Sequence, residues 1–182
     1  MRIQKGGYSL KENICVTTDA DGNKVVLIHD IRFRSRRTLD WNDVERYLKE
    51  YVGKCVEIEE TSELVYIGSD FPDEFSHSLD TKRLQGANKK AKANITPAIE
   101  ELVGIATNKK VSPDYENKHG ARAKLGWYRY DIKFGLPIYD ENSELIRYNI
   151  YNVEMLVRCD ENGKLYLYDF VRTKKETSRP HE

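Results

Sequence analysis

Between Gly126 and Lys174 the chain alternates aromatic and aliphatic residues with charged ones through three runs, and that period of two commits the stretch to β-strands. Trp127–Pro137 sets Tyr128, Tyr130, Ile132 and Phe134 against Trp127, Arg129, Asp131 and Lys133. Asp140-Glu141-Asn142-Ser143 turns the chain into Ile146–Cys159, where Tyr151, Val153, Met155 and Val157 oppose Asn152, Glu154 and Arg158. Asp160-Glu161-Asn162-Gly163 makes the second turn, its Asn-Gly suited to the positive φ of a tight hairpin. Lys164–Lys174 closes the set with Tyr166, Tyr168 and Phe170. Short acidic turns between consecutive strands predict a three-stranded antiparallel meander, one face of which has to be covered.

The cover is expected from helices upstream. Thr81 caps a predicted helix through Lys92 and beyond, and Pro97 breaks it or opens a second over Ala98–Thr107 with Ile99, Leu102, Val103 and Ala106 inward. Ahead of these lies a strand-helix-hairpin segment. Val25–Phe33 reads as a strand, Asp40 caps a helix over Trp41–Val52 that Gly53 stops, and Lys54–Glu59 with Glu63–Gly68 form a hairpin. Asp70–Ser78 shows no period and reads as a loop, and Asn108–Lys124 as a basic, irregular approach to the meander. The expected fold is α+β, helices packed on an antiparallel β-meander. It forms one domain over 1–182: an α/β extension over 1–80, the helix-and-meander part over 81–176 and a frayed tail over 177–182.

Composition narrows the class. The 182 residues are 33% charged and 39% hydrophobic with no net charge, polar for a folded chain yet too aromatic for disorder. Cys15, Cys55 and Cys159 stand far apart with no second cysteine or histidine at ligand spacing, so no disulfide framework, zinc site or other cofactor is expected. No apolar run reaches membrane-spanning length and the first residues lack a signal-peptide core, which predicts a cytoplasmic protein without a membrane partner. Charge is uneven: from Lys82 to Lys124 ten basic residues face four acidic ones, a surplus of +6 against −6 for the remainder. Glycine-rich phosphate loops, nucleophile elbows and His-Glu metal motifs are absent from the sequence.

Candidate chemistry collects around that basic segment. His119 sits in Lys118-His119-Gly120-Ala121-Arg122-Ala123-Lys124, where an imidazole can exchange a proton near neutrality and Arg122 can hold a phosphate. A solvated basic loop is the alternative. On the polar side of the meander Glu154 stands near Arg129, either a general base with its cation or an ordinary cross-strand ion pair. Arg32-Phe33-Arg34-Ser35-Arg36-Arg37 is a second basic cluster, equally readable as a nucleic-acid contact or a charged loop.

The run His119–Lys124, then Gly126-Trp127-Tyr128-Arg129-Tyr130-Asp131, Tyr166-Leu167-Tyr168-Asp169-Phe170 and Thr173-Lys174-Lys175-Glu176 resembles the barnase, EndoU, colicin and RelE group of metal-independent ribonucleases found in phage and mobile-element proteins. The resemblance covers 118–176 and departs from the group at Gly120-Ala121 and in residues 1–80. It implies a sheet whose open face cleaves RNA by acid/base transesterification, with His119 as acid or base, Arg122 on the phosphate, and Tyr130 and Thr173 as supporting hydrogen-bond groups; Glu154, read from the strand pattern, is the candidate general base beside them. Lys118, Lys124, Arg129 and Lys174 would contact the nucleic acid. The alternative keeps the fold without the chemistry, as an accessory protein of a mobile element that binds nucleic acid, a host protein or an immunity protein.

Overall fold

The computed structural model describes residues 13–34, 39–112 and 126–177. The first described element is a hairpin of β1 (Ile14–Thr18) and β2 (Lys24–Ile28), Ile14 opposite Ile28. Asp19 closes its turn by accepting the amides of Asp21 and Asn23, both at 2.9 Å. The strand expected over Val25–Phe33 therefore ends at Ile28. Beyond it, the Asn94 side chain accepts the Phe33 amide at 2.8 Å and donates to the Phe33 carbonyl at 2.9 Å, replacing a strand neighbour.

The helix α1 (Trp41–Leu48) starts at its expected cap, with Asp40 accepting the Asn42 amide at 2.9 Å, a contact worth about 1 kcal/mol. A 3-10 turn over Lys49–Tyr51 follows, and Gly53 at φ +93° turns the chain into the hairpin of β3 (Cys55–Glu57) and β4 (Leu64–Tyr66). Asp70–Ser78 is not a loop. It forms α2 (Phe71–His77), with Pro72 in the first turn, where its missing N–H costs no bond, and Phe71 and Phe75 wholly buried.

The single helix expected from Thr81 is two. α3 (Leu79–Arg83) is capped by Ser78, whose Oγ accepts the Thr81 amide at 3.2 Å, while the Thr81 hydroxyl donates to the Phe75 carbonyl at 2.6 Å. Extended Leu84 and Gln85 and Gly86 at φ +56° then reset the direction for α4 (Gly86–Asn94). After a 3-10 turn over Thr96–Ala98 comes α5 (Ile99–Ile105), with Ile99, Leu102, Val103 and Ala106 buried as their spacing predicts. Part of the segment read as irregular is a strand, β5 (Thr107–Ser112).

The three long strands β6 (Gly126–Tyr139), β7 (Leu145–Cys159) and β8 (Leu165–Lys175) pair antiparallel in sequence order. They do not form a separate three-stranded sheet. They are the middle of an eight-stranded mixed sheet, ordered β1-β2-β6-β7-β8-β4-β3 with β5 also on β6. Parallel pairings of two residues each, Val26 and Leu27 with Phe134 and Gly135, and Val65 and Tyr66 with Leu165 and Tyr166, attach the N-terminal hairpins to either side. The fold is thus α+β, as expected. Tyr130, Ile132 and Phe134 join Tyr151, Val153 and Met155 in one core with the apolar residues of α1, α2, α4 and α5. An ion pair between Lys24 and Glu59 links the two flanks of the curled sheet.

β2 and β5 share an edge of β6, β2 in register with Phe134 and Gly135 and β5 with Asp131 through Trp127. Ile132 and Lys133 fall between the two registers, leaving a notch in the sheet.

Candidate nucleic-acid interface

A cavity of about 820 Å³ opens at this notch. Its charged lining is balanced: Glu59, Glu60, Asp131 and Glu154 against Lys24, Lys133, Arg172 and Lys174. Strand alternation puts Asp131 directly opposite Glu154, two carboxylates side by side that neighbouring cations have to hold. Lys110 from β5 donates to Asp131 Oδ1 at 2.9 Å and lies 3.7 Å from Glu154, and Asn108 donates to Asp131 Oδ2 at 3.0 Å. Arg129 and Arg172 lie 3.4 and 3.3 Å from Glu154 Oε1. Burial works to raise the Asp131 carboxyl, but the Lys110 and Asn108 bonds outweigh it and hold Asp131 below its ordinary value. Lys110 is correspondingly raised, first by its bond to Asp131.

Arg172 is the least ordinary residue of the site. Its φ is +58°, the left-handed region that costs a side-chain-bearing residue roughly 1–2 kcal/mol. Two contacts fix it there: its amide donates to Asp80 at 2.8 Å and its guanidinium reaches Glu154. The kink falls where the β7–β8 register shifts between Asn152 and Glu154, and it turns a cation into the notch.

Of the residues singled out in the sequence, Arg129 and Glu154 do come together, and Lys174 lines the same cavity. Tyr130 does not join them. It lies on the other side of β6, fully buried, and donates to Glu63 at 3.0 Å; burial first and then Glu63 raise its phenol far above the ordinary value, so it holds its proton. Thr173 is 3% exposed, with no hydrogen-bond partner for its hydroxyl among the described residues, and it does not line the cavity. Lys118, His119, Arg122 and Lys124 lie outside the described residues.

The structure adds a basic face that sequence order disperses. Three bonds lay α3 and α4 along β8: Asp80 to the Arg172 amide, Asn88 to the Lys175 amide at 3.1 Å, and Lys92 to Asp169 at 2.9 Å. Lys82 and Arg83 of α3, Lys89 and Lys90 of α4, and Lys174 and Lys175 of β8 are thereby gathered on adjoining elements, each exposed or half-buried. None forms an ion pair with a described residue. Among the other described lysines and arginines most are paired, and those without an ion pair to a described residue, Arg34, Lys49, Arg147 and Lys164, are scattered along the chain. The acids nearest this face are committed, Asp80 to Lys92 and Glu176 to Lys133 at 2.8 Å. Arg172 and Lys174 make the face continuous with the cavity.

No described helix is long and apolar enough to cross a membrane. Comparison with protein-family models, curated proteins and solved structures returns no match.

Proposed function

We propose that the protein binds RNA along the α3, α4 and β8 face, with the notch cavity as its inner end. The observation that carries this reading is the collection, on three adjoining elements, of six cations that have no carboxylate partner among the described residues. Exposed ion pairs contribute only about 0–1 kcal/mol, and like charges held together repel, so folding gives no reason to gather them; a polyanion does. Fluorescence anisotropy with a labelled single-stranded RNA, repeated from 50 to 300 mM salt, tests it. With four to six phosphates neutralised, log K is expected to fall against log salt with a slope of about −3 to −4. A slope near zero, or no binding at the lowest salt, would sink the proposal.

Cleavage is a second reading, favoured by the position of Glu154 in the cavity wall between two arginines. In the transesterification scheme Glu154 supports acid/base chemistry on RNA, alongside the roles expected of His119 and Arg122, which lie outside the described residues. Glu154→Gln separates the readings. If the face only binds, the substitution frees Arg129 and Arg172 from their counter-charge while Lys110 keeps Asp131, and affinity should rise about threefold to tenfold at low salt. If Glu154 takes part in catalysis, RNA cleavage in EDTA by the wild-type protein should be lost in the variant.

A further inference from the structure

We infer that Glu45, Asp73 and His77 form a binding site for a divalent transition-metal ion of the zinc class, joining α1 to α2. The site shares no residue with the notch cavity and does not depend on the nucleic-acid reading. Asp73 and His77 are four residues apart on α2, so the helix repeat puts both on one face. Glu45 comes from α1, which is held against α2 by the edge contact of Trp41 with Phe75 at 6.4 Å. The donor atoms of the three side chains all lie within 4.8 Å of one another, and His77 Nε2 is 2.8 Å from Glu45 Oε1.

The donor set is what separates this cluster from an acidic patch. One imidazole nitrogen with two carboxylate oxygens suits Zn²⁺, Co²⁺ or Ni²⁺, whereas calcium and magnesium favour oxygen alone. Ligands about 2.1 Å from a common ion stand about 3.0–3.4 Å apart, so the closest pair here is already near its spacing and side-chain rotation can bring in Asp73. The helix that carries both ligands is anchored by Phe75, one turn from Phe71 and two residues before His77, which packs at 5.7 Å from Phe71 and 6.2 Å from Phe170. Glu45 and His77 are half-buried and Asp73 is exposed, which leaves water to complete the shell. In the loop reading of Asp70–Ser78 the Asp73-x-x-x-His77 spacing had no meaning; on a helix it is a two-ligand face.

Titration of the metal-free protein with Co²⁺ at pH 7.5, read by its visible absorption, and with Zn²⁺, read by competition, tests the assignment. A single saturable site is expected. Zn²⁺ at about a hundredfold its dissociation constant should raise the melting temperature by roughly 5–10 °C. Replacing ligands by His77→Ala or Asp73→Asn should weaken binding by about tenfold or more, while Asp43→Asn on the same helix as Glu45 should leave it unchanged. Circular dichroism of each metal-free variant separates ligand loss from misfolding. Absence of a saturable site, or equal affinity in folded His77→Ala and Asp73→Asn variants, would show a His77–Glu45 bridge only and overturn the inference.

Discussion

Replacing Lys92 by methionine should destabilise the protein by about 3–5 kcal/mol, the largest effect expected of any single polar substitution among the described residues. Lys92 is fully buried on α4, its Nζ 2.9 Å from Asp169 and 3.0 Å from Asp80, and 4.9 Å from the centre of the Phe75 ring. Methionine fills the space and leaves Asp169 buried without its cation. The pH dependence follows from that carboxyl, which burial pushes up to about 6 against the pull of Lys92, from an ordinary value of 3.8. A folded-state value above the unfolded one means stability is fully present below 3.8 and lost as pH rises through 6, by about 3 kcal/mol from this group. Without Lys92 the carboxyl rises further, so urea denaturation should show the Lys92→Met penalty growing from pH 5 to pH 8. Adding Asp169→Asn should restore a large part of the loss. A penalty of similar size at both pH values would mean that packing, and not the stranded carboxylate, accounts for it.

The long strands β6, β7 and β8 announce themselves because alternation is local: Tyr130, Ile132 and Phe134 against Arg129, Asp131 and Lys133 need no partner to be read. Their turns are equally local, with Gly163 at φ +78° and Asp160 accepting the amides of Asn162 and Lys164 at 2.9 Å. The attachment of β2 to β6 and of β4 to β8 is different, since each rests on two residue pairs far apart in sequence. α2 is only seven residues long and carries Pro72, so Phe71 and Phe75 give no recurring pattern even though both are fully buried. At the site, Glu154 and Arg129 could be read as neighbours from strand alternation. Arg172 could not, because its direction is set by a bulge and by Asp80, a residue 92 positions away. The basic surplus was visible as composition, but the sequence located it before the sheet; the three bonds from α3 and α4 to β8 bring part of it onto the sheet itself.

That placement makes the second large prediction specific to a surface. Reversing Lys82, Arg83, Lys89 and Lys90 together to glutamate should reduce RNA affinity at least about a hundredfold at 100 mM salt and flatten the salt slope by about 3. The first effect follows from replacing attraction with repulsion at four phosphates, the second from the counterions no longer released. None of the four forms an ion pair with a described residue, so each reversal should cost the fold no more than about 0.5 kcal/mol, and the melting curve should remain cooperative. Net charge alone is a competing explanation, because any added acid weakens a polyanion at long range. Lys49→Glu with Arg147→Glu addresses it: both residues are likewise unpaired among the described residues, one in the 3-10 turn after α1 and the other in β7. If the face is the site, this control should move affinity by only about threefold and leave the slope nearly intact, since it removes no contact. Equal losses per charge in the two variants would place binding somewhere other than α3, α4 and β8, and would detach the notch cavity from any role in holding the ligand.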